Sequence, residues 1–142
     1  MTRHTAVMAS FLLETHVMGA GPTGCMVALA LAQQNQRVVL FDPQASDALA
    51  ARSRAYAITH SSRRFMQRLG LWDELRKDLV PFEQLDLRDL AADRQVLFVA
   101  EDLADKNRGH RGIGWILDHR PLMTVLLRQL QQSALVQMHL GG

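Results

Sequence analysis

Gly19-Ala20-Gly21-Pro22-Thr23-Gly24 separates a short stretch at 15–18 from the Ala/Leu-rich run at 25–32. This order predicts a strand, a tight glycine turn, and a helix that is apolar on nearly every face and therefore buried. Glycines admit the turn and the close approach of a ligand, and the positive end of the helix can hold a pyrophosphate. We expect Gly19, Gly21 and Gly24 to serve these purposes, with glycines used only for packing as the alternative.

The next segment, Arg37-Val38-Val39-Leu40-Phe41-Asp42, is rich in β-branched and aromatic side chains and ends at Pro43. It predicts a strand buried in a parallel sheet, so residues 15–42 form one βαβ unit. Asp42 lies 23 residues beyond Gly19. A carboxylate at that place, at the end of the second strand, can accept the ribose hydroxyls of an adenine dinucleotide. The glycine turn and Asp42 together therefore predict a dinucleotide site.

The residues after this unit predict a loop followed by two helices. Residues 43–54 are polar and alanine-rich without a period, which is typical of a loop. Thr59 or Ser61 can cap the following helix, and Gly70 ends it. Apolar residues spaced three and four apart predict a second, short helix closed by a proline: Trp72, Leu75, Leu79 and Pro81.

Beyond residue 82 the hydrophobic period changes from helical to alternating. The pattern over 82–100 predicts a β-hairpin with a polar turn. Residues 102–111 are charged and irregular, and 113–117 predict a strand. Pro121 suits the first turn of a helix, and a last strand is predicted over 136–140. The residues after the βαβ unit thus predict a mixture of helices and antiparallel strands.

Charge and cysteine content exclude several classes of function. Lys and Arg exceed Asp and Glu by a formal charge of +2, which is too little for sequence-independent nucleic-acid binding. Cys25 is the single cysteine, so no internal disulfide forms, and no Cys/His cluster has zinc spacing. These features favour the cytoplasm and predict no metal. Residues 1–14 are interpreted as an irregular tail, and no transmembrane helix is predicted.

Arginines cluster after the second predicted strand: Arg52, Arg54, Arg63, Arg64 and Arg68. Arg54 belongs to the loop that faces the dinucleotide site. A guanidinium there can stabilise a pyrophosphate or a reduced flavin through charge-assisted hydrogen bonds. The three arginines from 63 onward are interpreted as a solvated helix face.

Two other reactive groups are given no chemical role. Cys25 lies beside the predicted helix N-terminus, a position that can lower a thiol pKa, but it is interpreted as a small buried residue. Asp118 and His119 are neighbours in sequence. Because adjacent residues of a strand point to opposite faces, we do not expect them to act as an acid/base pair.

Five motifs follow one another along the chain: Gly19-Ala20-Gly21-Pro22-Thr23-Gly24, Arg37-Val38-Val39-Leu40-Phe41-Asp42-Pro43, Arg52-Ser53-Arg54-Ala55-Tyr56-Ala57-Ile58, Leu69-Gly70-Leu71-Trp72 and Asp118-His119-Arg120-Pro121-Leu122. In this order and spacing the chain resembles the N-terminal part of the FAD-dependent aromatic hydroxylases, the single-component flavoprotein monooxygenases. Within these it is most similar to the ubiquinone-biosynthesis branch. The resemblance covers nearly everything from Thr15 to Gly142.

The resemblance implies specific roles for the matching residues. The three glycines of the turn would bind the FAD pyrophosphate, and Asp42 the adenosine ribose. Arg54 and Arg120 match arginines that contact FAD in the family. The implied reaction uses NAD(P)H to reduce FAD and then oxygen to hydroxylate an aromatic or quinone-type ring, with the protein mainly positioning and shielding. It also implies a cytoplasmic enzyme with peripheral membrane attachment; catalytic residues are not identified.

The implied fold is α/β. It comprises the N-terminal βαβ of a Rossmann-like FAD-binding fold and part of an antiparallel substrate-domain sheet. Residues 15–80 would form the FAD-binding βαβ and its following helices, 81–118 a partial substrate-domain sheet, and 119–142 a helix and strand that return to the FAD-binding domain. Later family motifs that contact the coenzyme and the ribityl chain are missing from these 142 residues. The chain is therefore expected to be truncated, to lack hydroxylase activity alone, and to hold FAD weakly if at all.

Two other functions remain open at the level of sequence. A nicotinamide-dependent dehydrogenase or reductase would share the glycine turn and Asp42, but would require further βαβ units where the predicted hairpin stands. A non-catalytic nucleotide-binding module would share them too. Flavin absorbance of the purified protein would favour the FAD-dependent hydroxylase, and its absence would favour one of these two alternatives.

Overall fold

The computed structural model of the chain describes residues 14–104 and 112–142. The strands in these residues are β1 (Glu14–Met18), β2 (Arg37–Asp42), β3 (Ala55–Ile58), β4 (Leu79–Phe82), β5 (Leu85–Asp89), β6 (Arg94–Phe98), β7 (Gly114–Asp118) and β8 (Val136–Leu140). The α-helices are α1 (Pro22–Gln33), α2 (Ser46–Ala50), α3 (His60–Arg68), α4 (Trp72–Leu75) and α5 (His119–Gln132). The tail predicted at 1–14 lies outside the described residues except for Glu14, which belongs to β1. Most of the irregular 102–111 segment also lies outside them.

A parallel three-stranded sheet has the order β1-β2-β8. Its central strand, β2, buries Val38, Val39 and Leu40, as its unbroken apolar run predicts. Helices α1 and α5 pack against each other and against this sheet. The predicted βαβ unit is confirmed, because β1 and β2 run parallel and Asp42 lies at the carboxyl end of β2.

Helix α1 begins three residues earlier than the hydrophobic run suggests, because Pro22 and Thr23 are already helical. Proline is favourable at the first helical position, where its missing N–H costs nothing. Its buried side is formed by Cys25, Ala28, Leu29 and Ala32. The expectation of burial on nearly every face is wrong in part, since Val27 keeps 43% of its surface exposed.

The helix α3 begins and ends where the sequence predicts. Thr59, rather than Ser61, caps it, with its hydroxyl accepting a hydrogen bond from the Ser62 N–H at 3.3 Å. Gly70 follows the helix at φ +76°, the left-handed conformation that favours glycine at a helix end. The helix is therefore delimited by local side-chain and backbone chemistry that the sequence shows directly.

The structure corrects two predictions for the residues after β2. Helix α2 lies inside the segment 43–54 that was predicted to be a loop, and strand β3 follows that segment. Leu79 and Pro81 do not extend the second helix: it stops at Leu75, a 3-10 turn follows at Arg76–Asp78, and both residues belong to β4. Leu79 pairs with Leu117 across the sheet. Pro81 fits because β4 is an edge strand, where a missing N–H donor is tolerated.

Two antiparallel sheets result, with the order β3-β7-β4 in one and β5-β6 in the other. The predicted hairpin over 82–100 is the second of these. The first sheet combines strands from the blocks 15–80 and 81–118, and the proposed boundary between them falls inside β4. The assignment of these blocks to separate domains stays a prediction. Among the described residues, no helix has the length and apolarity needed to cross a bilayer.

Candidate functional site

The glycine turn joins β1 to α1 through close backbone contacts that leave no room for a side chain at Gly24. Gly19 adopts φ +100° and donates its N–H to the Phe41 carbonyl at 2.7 Å. A Cβ added to Gly24 would lie 1.8 Å from the Gly19 carbonyl oxygen. Glycine at 24 is therefore required for α1 to approach the turn this closely.

The N-terminus of α1 has the properties of an anion site. Gly21 is its N-cap residue, no side chain caps the helix, and no acidic residue lies in its first turn. A Cβ on Gly21 would meet nothing within 4 Å, so the space in front of the helix end is open. The first N–H groups of a helix have no intrahelical partner, and its dipole favours negative charge there. The helix end can therefore accept an anion such as a phosphate group.

Asp42 connects the end of β2 to the glycine turn. Its Oδ2 accepts the Ala20 N–H at 2.8 Å, and its Oδ1 accepts the Gln44 N–H at 2.9 Å. Each carboxylate oxygen can accept another hydrogen bond, so both remain able to accept ribose hydroxyls. A cleft of about 480 Å³ opens beside it, lined by Met18, Gly19, Phe41, Asp42, Pro43, His139 and Gly142.

Arg54 and Arg120 lie in a second cleft of about 570 Å³. They are distant in sequence but adjacent here, because Ala55 of β3 pairs with Asp118 of β7. The His119 N–H also donates to the Arg54 carbonyl at 2.8 Å. The predicted site residues thus form two groups. Gly19 and Asp42 line one cleft, whereas the two arginines line the other.

His119 is a residue of this region whose importance the sequence did not reveal. Strand β7 ends at Asp118, so His119 starts α5 and is 1% exposed. Its Nε2 lies 2.7 Å from the Leu49 carbonyl oxygen, and its Nδ1 lies 2.8 Å from the Tyr56 hydroxyl. The only signal in the sequence was a histidine directly before the helix-starting Arg120-Pro121 pair, and that signal alone predicts no contact.

Arg63 corrects the interpretation of a solvated helix face. It is 8% exposed, and its guanidinium carbon lies 5.6 Å from the centre of the Trp115 ring. Burial, and secondly the positive charge of Arg64, lowers the pKa of Arg63 below the ordinary arginine value. Arg68 does remain on the exposed side of α3. Arg63 is therefore part of the packing between α3 and β7, because a cation can rest on an indole face.

Cys25 is a structural residue, as expected. Its side chain is fully buried, and its thiol donates to the Ala20 carbonyl at 3.2 Å. Burial, and secondly the negative charge of Asp42, raises the pKa of the Cys25 thiol to about 12. The favourable effect of the helix N-terminus on a thiolate does not overcome these two.

The raised pKa predicts that Cys25 in the folded chain is inert to alkylation. A pKa above the ordinary value means that the reactive thiolate is scarce at pH 8, and burial blocks access as well. We expect iodoacetamide to react at least about 100-fold more slowly with the native chain than with the chain unfolded in urea. Equal rates in the two states, followed by mass spectrometry at pH 8, would contradict the burial and the pKa shift.

The chain belongs to the FAD dependent oxidoreductase family, which it matches over residues 15–135. This span includes the glycine turn, Asp42 and both arginines of the second cleft. Among the described residues, no three His, Cys, Asp or Glu side chains are close enough together to hold a metal ion.

The chain is similar to part of several known proteins. Ubiquinone hydroxylase UbiM of Neisseria meningitidis is 34% identical over 86 residues, which are 58% of this chain and 19% of UbiM. The p-nitrophenol 4-monooxygenase PnpA from Pseudomonas putida superposes with a TM-score of 0.67 at 20% identity, covering 89% of this chain and 31% of PnpA. Pseudomonas aeruginosa PqsL, bound to 2-aminobenzoylacetate, superposes with a TM-score of 0.69 at 20% identity. The match covers 91% of this chain and 33% of PqsL. The chain spans about a third or less of the length of each relative.

Proposed function

We propose that this chain binds the ADP half of FAD and is the N-terminal part of an FAD-dependent monooxygenase. The observation that carries the proposal is the open, uncapped N-terminus of α1, held beside Asp42 by the Ala20 N–H. The helix end provides donors for a pyrophosphate, and Asp42 provides acceptors for a ribose. These are the two recognition elements that an adenine dinucleotide requires.

The roles of the individual residues follow from their positions. Gly19 and Gly24 shape the turn, and Gly21 leaves the helix end accessible to the pyrophosphate. Arg54 and Arg120 lie in the other cleft, where their positive charges would hold FAD beyond its adenosine. When bound, FAD supplies the redox chemistry between NAD(P)H, oxygen and the substrate. The residues of this chain bind and orient that cofactor.

We propose an aromatic or quinone-precursor ring as the substrate class. Support comes from the names of the relatives, which include a ubiquinone hydroxylase and a p-nitrophenol monooxygenase, and from the motifs shared with the ubiquinone-biosynthesis branch. A cytoplasmic enzyme, attached peripherally to the membrane where a quinone precursor resides, is consistent with this class of substrate.

The strand order favours a flavin enzyme over a nicotinamide-dependent dehydrogenase. A run of βαβ units would follow Asp42 with further parallel strands, but here two antiparallel sheets intervene before β8 joins the parallel sheet. In the flavin hydroxylases that the chain resembles, such strands belong to the substrate domain. The antiparallel strands between β2 and β8 therefore favour a flavin hydroxylase over a nicotinamide-dependent dehydrogenase.

Titration of the purified chain with FAD tests the proposal. We expect flavin fluorescence to change on binding, ADP to compete with FAD, and FMN not to compete, because FMN lacks the adenosine that Asp42 would hold. Binding of FMN with the same affinity as FAD, or no binding of FAD at all, would contradict recognition of the ADP half.

The Arg54→Ala variant tests the second cleft. Loss of one charge-assisted hydrogen bond costs about 1.5 to 3 kcal/mol, so we expect FAD affinity to fall at least about tenfold. Arg68→Ala is the matched control, because this substitution removes the same positive charge from an exposed position on α3. Arg63→Ala does not serve as a control because Arg63 is buried against Trp115. Equal FAD affinities for the Arg54 and Arg68 variants would remove Arg54 from the site.

A further inference from the structure

His119 makes three polar contacts at the two ends of one short segment. The segment is 51–54, which connects α2 to β3 and carries Arg54. At one end, the ring Nε2 contacts the Leu49 carbonyl oxygen at 2.7 Å. At the other end, Nδ1 contacts the Tyr56 hydroxyl at 2.8 Å, and the His119 backbone N–H donates to the Arg54 carbonyl at 2.8 Å.

The carbonyl of Leu49 determines the direction of both ring hydrogen bonds. A carbonyl oxygen can only accept, so Nε2 carries a proton and donates it. In the neutral ring Nδ1 then accepts, and the Tyr56 hydroxyl donates to it. Both ring nitrogens are used inside the protein. The ring is also 1% exposed, so water cannot readily substitute for either partner.

The same residue is covalently joined to the other side of the cleft. Arg120 follows His119 directly, and both lie in the first turn of α5. The cleft is lined by the 51–55 segment together with 118–121. His119 therefore contacts the segment that carries Arg54 and directly precedes Arg120 on the other side of the cleft.

We propose that His119, with Tyr56, is a positioning residue for FAD binding: it fixes the 51–54 segment so that Arg54 and Arg120 face the same cleft. The proposal rests on the proposed function for one point, namely that the ligand bound in this cleft is FAD. His119 itself does not touch the cofactor. It acts through the two arginines, and it joins α2, β3 and α5 at a single buried point.

Trypsin cleavage tests the positioning without any ligand. Trypsin cuts after Arg52 and Arg54, which lie inside the segment, and after Lys77, which lies outside it in an exposed turn. We expect His119→Ala to accelerate cleavage at Arg52 and Arg54 about tenfold while leaving the rate at Lys77 within twofold. His119→Gln should restore part of the protection, because its amide can donate to the Leu49 carbonyl, and Tyr56→Phe should be intermediate. Equal acceleration at all three sites would indicate general unfolding and overturn the proposal.

FAD affinity provides the second readout, through a double-mutant cycle. We expect His119→Gln to weaken FAD binding about fivefold to tenfold in the otherwise unchanged chain. In the Arg54→Ala/Arg120→Ala chain it should have less than a twofold effect, since the residues through which it acts are gone. Met66→Ala, a core variant on α3, controls for lost stability and should leave FAD affinity within twofold. Losses that simply add, or an equal loss in the Met66 variant, would overturn the positioning role.

Failure of the inference and failure of the proposed function give different results. If the unchanged chain does not bind FAD while His119→Ala still exposes Arg52 and Arg54 selectively, the proposed function is wrong and His119 still positions the segment. If FAD binds and neither the cleavage pattern nor the affinity responds to His119→Ala or His119→Gln, the positioning role is wrong and FAD binding stands.

Discussion

The Gly24→Ala chain is expected to lose FAD binding and much of its stability together. The added methyl group would lie 1.8 Å from the Gly19 carbonyl oxygen, a backbone atom that cannot move without opening the turn. Overpacking of this kind costs about 3 kcal/mol or more when backbone must shift. We expect thermal unfolding, followed by circular dichroism, at a clearly lower temperature, and FAD affinity at least about 100-fold weaker.

Gly21→Ala is the matched variant, because it should weaken FAD binding while leaving stability nearly unchanged. Its Cβ would enter open space, and Gly21 has φ −70°, which any residue adopts. We expect stability to change by less than about 1 kcal/mol. FAD affinity should still fall about tenfold or more, because the methyl group occupies space that the pyrophosphate needs. A Gly21→Ala chain that binds FAD normally would show that no phosphate sits at the end of α1.

Asp42→Ala is expected to produce the second large effect. The carboxylate accepts the N–H groups of Ala20 and Gln44, so its removal releases the glycine turn and the start of the following loop. Hydrogen bonds to a charged group contribute about 1.5 to 3 kcal/mol each. Together with the loss of the ribose acceptors, we expect FAD affinity to fall about 100-fold, and the unfolding free energy to fall by about 3 kcal/mol, the lower end for two such bonds.

Two variants give this experiment its controls. Asp42→Asn keeps one acceptor oxygen in the same shape, so it should lie between the unchanged chain and Asp42→Ala in both measurements. Asp73→Ala removes an exposed carboxylate that pairs with Arg76 on the surface, a contact that contributes little. In calorimetric titration, FAD affinity should decrease from the unchanged chain to Asp42→Asn and again to Asp42→Ala. If Asp73→Ala weakened FAD binding as much as Asp42→Ala does, the effect would be one of net charge rather than of ribose recognition.

The βαβ unit was predictable because its signals are local and agree with one another. The glycines of the turn, the apolar run of β2 and the terminal Asp42 each specify one feature, and the spacing between them specifies the unit. The cap at Thr59 and the stop at Gly70 were predictable for the same reason: a hydroxyl and a left-handed glycine act on neighbouring backbone.

The antiparallel sheet was less predictable because its strands are short and depend on distant partners. Strand β3 has four residues, too few to show a period. Leu79 has the right spacing to continue the helix pattern from Leu75, but pairing with Leu117 places it in a strand instead. Periodicity alone does not distinguish these outcomes, because tertiary pairing overrides a weak local preference.

The sequence predicted that Gly19 and Asp42 lie near each other, and the structure shows both lining one cleft. The roles of the glycines, Asp42 and the arginines in binding a cofactor stay predictions. The contacts of the residues packed behind them could not be predicted. Arg63 has the sequence context of a surface arginine, but it is buried and lies against the Trp115 ring of β7. The sequence predicts His119 in a strand, but the strand ends at Asp118 and His119 begins α5. Its partners, Leu49 and Tyr56, come from segments whose arrangement the sequence does not show.

The strand order β1-β2-β8 also determines when the parallel sheet can form during synthesis. Strands β1 and β2 are made early, but the other edge of β2 pairs with β8, whose residues lie about 100 positions later in the chain. On the ribosome, β2 therefore has one unpaired backbone edge while the intervening antiparallel strands are synthesised. Because an unpaired strand edge can pair with another chain, this interval favours aggregation of the nascent chain.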